Sequence, residues 1–216
     1  MIVTIDGPAG AGKSSAARGL AQKIGFRFLD TGAMYRAVTL AGIRRRIDWQ
    51  DASALARIAS EAELDLSGDR VLWDGEDVTQ AIRTFEVTRL SRFAADNLAV
   101  RMHLVELQRR IASQSDMVTE GRDQATLVFP DAECKIYLTA SDVIRAQRRY
   151  EDLHRRGEEV TFDEVLTKQI ERDRRDLERE FGGLRKAADS IELNTDGLST
   201  NQVIQRLEKI VAEHRD

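Results

Sequence analysis

Apolar residues in this chain follow two spacings that alternate along it: short uninterrupted runs and helical repeats. Residues 1–6 (MIVTID) form a run of strand length that closes on a glycine-rich turn. Ala16, Ala17, Leu20, Ala21 and Ile24 then recur at helical spacing within 13–24, and Gly25 stops them. Residues 26–30 (FRFLD) predict a second strand and 34–43 a second helix. The alternation returns later. Residues 117–120 and 135–138 predict short strands, 142–156 a helix, 190–194 a last strand and 200–213 an amphipathic closing helix. Strands and helices alternating at this spacing predict a parallel sheet, here of five strands, joined by crossover helices.

Residues 63–78 (ELDLSGDRVLWDGEDV) have a different pattern. Two alternating runs are joined by Ser67-Gly68-Asp69 and followed by Asp74-Gly75, a hairpin signal. Short antiparallel strands inside an otherwise parallel chain predict an insertion over about 61–97, ahead of a helix over 98–113. The expected organisation is one domain, with a core of 1–60 and 98–216 interrupted by that insertion.

The turn after the first strand carries the clearest chemistry. Gly7-Pro8-Ala9-Gly10-Ala11-Gly12-Lys13-Ser14 is a complete G-x-x-x-x-G-K-[ST] loop, and Ser15 follows it. Successive N–H groups of such a loop curl around phosphate oxygens, and its glycines allow the dihedrals and the close approach this needs. The helix that follows points its positive end at the same anion. Lys13 adds a point charge at the β- and γ-phosphates, and the Ser14 hydroxyl stands ready for Mg²⁺. Its position between a strand and a helix is the context that separates the motif from a chance glycine turn. No N-K-x-D run occurs, which weighs against a GTPase, and no long apolar run ends in Asp-Glu, which weighs against a large ATPase.

Composition narrows the setting. At 216 residues, 42% hydrophobic and 32% charged, the chain reads as globular. It has no apolar run of about eighteen residues, and its first ten residues lack the marks of a secretion signal, so neither membrane span nor leader is expected. One cysteine, Cys134, excludes an intrachain disulfide, and a cytoplasmic location is the expectation. With 33 basic against 37 acidic residues, general nucleic-acid binding is not expected. His103, His154, His214 and Cys134 are scattered and form no metal-ligand pattern.

Arginines crowd into 44–46, 101–110, 145–156 and 172–185. Such runs fit either solvated helix faces or guanidinium groups lining a phosphate site. Arg145, Arg148 and Arg149 share one helical face, as do Arg172, Asp176 and Arg179. Glu171–Arg175 and Arg172–Asp176 read equally well as exposed i,i+4 pairs. Ser141 or Asp142 caps the first of these helices, and Thr161-Phe162-Asp163-Glu164 is a capping box that opens the second.

Three further runs stand in order behind the loop: Asp30-Thr31-Gly32-Ala33-Met34-Tyr35-Arg36, Glu120-Gly121-Arg122-Asp123, and Phe129-Pro130-Asp131-Ala132. With them the chain resembles the bacterial-type cytidylate kinases from Ile2 to its last helix. The resemblance implies an α/β P-loop NTPase fold with a five-stranded parallel sheet, an inserted acceptor-binding subdomain and a helical lid over about 145–181. It implies transfer of the γ-phosphate of ATP, with Mg²⁺, to CMP or dCMP by a monomer. Residues 7–15 are then ATP-binding. Asp30, Thr31, Tyr35, Arg36, Ser91, Arg101, Arg122, Asp123, Arg172, Asp176 and Arg179 are acceptor-binding, and Lys13, Arg122, Arg145, Arg149 and Arg172 catalytic. Cytosine offers an amine donor beside the acceptors N3 and O2, which suits an acceptor such as Asp123 or a serine hydroxyl with a donor such as Arg101.

The chain departs from the family pattern in several places. Gln124-Ala125 follows Gly121-Arg122-Asp123 where Met or Ile and then Gly are usual, and Gly182-Gly183-Leu184 stands where a proline is usual. Ser14-Ser15 replaces Ser-Thr or Gly-Thr, and the spacing from Ser91 to Arg101 is one residue longer. Another small P-loop kinase, for a different monophosphate or shikimate, and a non-catalytic nucleotide switch are the alternatives.

Overall fold

A computed structural model of the chain describes residues 1–67, 70–155 and 157–215. Gly68 and Asp69 of the expected hairpin, and Arg156 at the end of an expected helix, lie outside the described residues. The elements begin β1 (Ile2–Asp6), α1 (Lys13–Ile24), β2 (Arg27–Asp30), α2 (Thr31–Arg44), α3 (Ala52–Glu61), β3 (Leu64–Ser67), β4 (Arg70–Trp73) and β5 (Glu76–Asp77). There follow α4 (Phe85–Asp96), α5 (Leu98–Ala112), β6 (Met117–Gly121), β7 (Cys134–Thr139), α6 (Asp142–Arg155), α7 (Phe162–Glu178), β8 (Ile191–Asn194) and α8 (Thr200–Ala212).

Two compact units result. Met1–Phe28 and Asp116–Asp216 form the first, and Leu29–Ser115 the second. The expected insertion over 61–97 falls inside the second unit, which also takes in α2, α3 and α5.

A five-stranded sheet runs in the order β2-β6-β1-β7-β8, and β1 pairs in parallel with β6 on one side and β7 on the other. Parallel strands covered on both faces need apolar side chains pointing both ways. Accordingly Val3, Ile5, Val118, Ile136 and Leu138 are fully buried, packed against Ala16, Ala17 and Leu20 of α1 and Leu207 of α8. Because β1 is central, the chain leaving its carboxyl end enters the crevice where ligands of open α/β sheets bind.

The second unit is helical around a small antiparallel sheet, β3-β4-β5. Asp74 and Gly75 both have positive φ, 50° and 81°, as the expected Asp-Gly hairpin turn requires. Helix α2 starts at Thr31, three residues before the apolar repeat shows it. Its N-cap is Asp30, which accepts from the Ala33 N–H at 2.9 Å. Arg44 forks onto Glu76 at 2.7 and 2.8 Å, tying the end of α2 to the hairpin. Asp51 and Thr84 cap α3 and α4, two helices that the periodicity reading leaves unassigned.

Candidate active site

The loop between β1 and α1 is shaped by its surroundings as much as by its own residues. A Cβ on Gly7 would stand 1.9 Å from the Leu138 carbonyl oxygen of β7, so no larger residue fits there. Gly10 has φ +80°, and a Cβ there would meet the Arg145 Cβ at 3.0 Å. Carbonyls of the loop are held from outside. Arg145 donates to Ala9 O at 2.8 Å, Arg148 reaches Gly10 O at the long limit of 3.5 Å, and the Thr195 hydroxyl donates to Ala11 O at 3.3 Å. Arg148 also donates to the hydroxyl and carbonyl of Thr195, at 3.1 and 2.9 Å.

Lys13 is buried, with its ammonium donating to Pro8 O at 2.8 Å. Burial, reinforced by the Arg122 and Arg172 charges against Glu120 and Asp6, brings its pKa down to about 7. Such an ammonium is held ready for an anion. The Ser14 hydroxyl donates to Glu120 Oε1 at 2.5 Å. Asp6, at the end of β1, accepts from the N–H groups of Ala125 (2.7 Å) and Gln124 (3.0 Å). Burial still outweighs these donors and lifts its carboxyl to about 7, and Asp123 nearby adds to the rise.

Around this loop the first unit gathers a cationic cluster. Arg122 Nε donates to Asp176 Oδ2 at 2.9 Å, and Arg179 to Asp176 Oδ1 at 3.1 Å. Burial alone would raise Asp176, but Arg122, Arg172 and Arg179 hold it below the usual carboxylate range. Arg172 stands on α7 beside Arg122 and Arg149, and partial loss of its water shell, with these like charges, lowers its pKa to about 10. The Arg172–Asp176 pair therefore belongs to this cluster, whereas Arg175 turns onto the Glu171 carbonyl. The two helices that carry most of these groups pack through Ala146, Leu153 and Val165. Ser141 Oγ accepts from Ile144 N–H at 3.4 Å at the start of α6, and the Thr161 capping box opens α7.

Within the second unit, Asp30 accepts from Arg36 at 3.1 Å while capping α2, and Arg36 Nε is buried with no partner among the described residues. The Arg101 guanidinium lies over the Tyr35 ring, 5.4 Å from its centre, and donates to Ala95 O at 3.0 Å. Thr31 is buried, and the Ser91 hydroxyl turns back onto Thr88 O at 2.9 Å.

Two of the departures have local explanations. Buried Gln124 accepts from the Thr119 hydroxyl at 2.8 Å, and its amide lies 3.5 Å from Asp123 Oδ1. Ala125 opens no positive-φ position, so glycine is not required there. Gly183 leaves no room for a Cβ, which would stand 2.4 Å from Arg179 O, and Leu184 N–H closes the end of α7 onto Asp176 O at 2.7 Å.

Five residues at the site are given no role by the sequence: Asp6, Glu120, Asp173, Thr195 and Arg148, which the sequence places only on a cationic helical face. For the first two a signal existed, since each is an acid at the end of a strand expected to enter the sheet core. Nothing in the sequence pattern marks Asp173 or Thr195.

A phosphate loop leaving the central strand of a parallel sheet, faced by arginines, places the chain among the P-loop phosphotransferases. The chain belongs to the cytidylate kinase family, whose model matches residues 3–213. It is 48% identical over 213 residues to the cytidylate kinase of Rhodopirellula baltica, covering 99% of this chain and 93% of that one. With the cytidylate kinase of Carboxydothermus hydrogenoformans it shares 41% over 220 residues, covering 100% and 99%. The crystal structure of TT1252 from Thermus thermophilus has the same fold at a TM-score of 0.54 and 19% identity, covering 100% of this chain and 98% of that one.

Proposed function

We infer that the chain is an ATP-dependent cytidylate kinase, which converts ATP and CMP or dCMP into ADP and CDP or dCDP. The single observation that carries this reading is the family match over residues 3–213, together with an intact phosphate loop in its strand-loop-helix setting. In-line phosphoryl transfer asks mainly for positioning and charge neutralisation, because a monophosphate is already a competent nucleophile.

The donor phosphates are assigned to Gly7–Ser15 of the loop, with Lys13 at the β- and γ-phosphates. Asp30, Thr31, Tyr35, Arg36, Ser91 and Arg101 are assigned to the acceptor from the second unit, and Arg122, Asp123, Arg172, Asp176 and Arg179 from the first. Asp123 is the proposed acceptor for the cytosine amine. Arg122, Arg149 and Arg172 spread the charge that develops on the transferred group. The orphaned, buried Nε of Arg36 supports a ligand at its side, since a buried donor without a partner is costly.

Two hard oxygen donors, the Ser14 hydroxyl and the Glu120 carboxylate, lie side by side at the loop and fit Mg²⁺. Bound there with the phosphates, the ion would neutralise charge on the triphosphate. Among the described residues no helix is long and apolar enough to cross a membrane. The reading includes a cytoplasmic monomer.

The test is product analysis. Incubated with ATP, Mg²⁺ and CMP, the protein is expected to form CDP and ADP in equal amounts. ATP binding with no acceptor-dependent ADP would favour the switch reading instead.

A further inference from the structure

Arg145 is 3% exposed, and every arm of its guanidinium is engaged. Nε donates to Ala140 O at 3.0 Å, one terminal nitrogen to Ala9 O of the loop at 2.8 Å, and the other to Asp142 Oδ1 at 2.5 Å. The nitrogen on Ala9 also meets Asp173 Oδ2 at 2.6 Å. Asp173 stands on α7, so through this carboxylate the second helix of the pair reaches the phosphate loop. The other oxygen of Asp173 is buried without a hydrogen-bond partner among the described residues. A carboxylate kept merely for packing is poorly suited to such a place.

The consequence for the loop follows from peptide geometry. In a planar trans peptide the C=O and N–H point in opposite directions. A guanidinium that pins the Ala9 carbonyl outward therefore aims the Gly10 N–H inward, toward the phosphate position. Thr195 on the Ala11 carbonyl does the same for the Gly12 N–H. This is the arrangement an anion-binding nest requires. An arginine so fully committed has no free fork for a phosphate. Arg149, one turn further along α6 and half-buried, makes no hydrogen bond or ion pair among the described residues.

We propose that Asp173 is a positioning residue of the donor site: it holds Arg145 on the Ala9 carbonyl and so fixes the loop in its phosphate-binding curl. Arg145 is then a permanent brace of the loop, and Arg149 is the arginine of α6 that meets phosphate. The proposal rests on the assignment of ATP to this loop.

It is tested by calorimetric binding of a non-hydrolysable ATP analogue to the intact protein without acceptor. Asp173→Asn is expected to weaken analogue binding about tenfold, the scale of one charge-assisted hydrogen bond. The KM for CMP at saturating ATP is expected to stay within about twofold of the wild-type value. Arg145→Lys should cost a similar factor, and the double variant should bind no worse than the weaker single one, because the two residues act as one unit. Analogue binding by Asp173→Asn within about twofold of wild type, fully additive losses in the double variant, or an equal rise in the CMP KM would each overturn the proposal. Should Asp173→Asn fail to fold, unchanged analogue binding by Arg145→Lys overturns it equally. Because binding is read without acceptor, a wild type that binds the analogue yet leaves CMP unconverted would sink the kinase assignment and spare the brace.

Discussion

Lys13 shows how a single residue couples burial to function. Its pKa of about 7 means that burial makes the charged form costly until a phosphate arrives. In the free protein that cost is fully present below pH 7 and fades as pH rises toward 10.5, so this group alone makes stability rise with pH across that window. Asp6, raised from 3.8 to about 7, acts in the opposite sense: its contribution is present below about pH 4 and is lost as pH rises through 7. A bound triphosphate restores the lysine charge. Calorimetry at pH 8.5 in buffers of differing ionisation heat should show ATP binding taking up close to one proton, and Lys13→Met should abolish the uptake. The same variant is expected to lose about 10²-fold or more in kcat while staying folded, and near-normal turnover would remove Lys13 from the mechanism. Glu120→Gln tests the proposed ion site: the Mg²⁺ concentration for half-maximal activity should rise, and an unchanged value would free Glu120 of that role. Asp123→Ala tests base choice. Losing a hydrogen-bonded buried carboxylate should narrow the CMP-to-UMP ratio of kcat/KM by about 30- to 150-fold. Equal losses with both bases would assign Asp123 to the sugar or phosphate instead.

Helix α6 shows what a helical face does and does not reveal. The spacing of Arg145, Arg148 and Arg149 marks one cationic face, but spacing alone cannot divide the labour on it. The structure commits Arg145 and Arg148 to loop carbonyls and leaves Arg149 beside the Arg172 charge. Arg149→Ala is therefore expected to lower kcat by about tenfold or more with little change in ATP binding, whereas Arg145→Ala should lower both together. A matching kinetic profile for the two variants would contradict this division. The elements of the sheet were readable because parallel strands buried on both faces are short apolar runs bounded by glycine and acidic turns. The phosphate loop was readable because its geometry demands particular residues at particular spacings. Less was legible where tertiary contact decides the outcome. Residues 31–33 look like a loop by composition, yet Asp30 caps a helix that already includes Thr31. Glu120 and Asp173 gain their meaning from partners 106 positions away (Ser14) and on another helix (Arg145), beyond the reach of any local pattern.

At the scale of the whole molecule, the two compact units share the assigned tasks: the donor loop and its arginines lie in the first, and six of the eleven residues assigned to the acceptor lie in the second. Family membership over residues 3–213 argues that these tasks are served together in one reaction. A nucleotide switch would need only the first unit's loop, and a shikimate kinase would have no use for the amine acceptor proposed at Asp123. The measurement that separates these readings is coupled ADP release from ATP and Mg²⁺ with CMP, dCMP, UMP, AMP and shikimate offered one at a time. Cytidylate kinase activity predicts the highest kcat/KM for CMP and dCMP, with UMP at least about tenfold lower because its reversed donor leaves pocket groups unpaired. ADP release that ignores the acceptor, or that is fastest with AMP or shikimate, would contradict it.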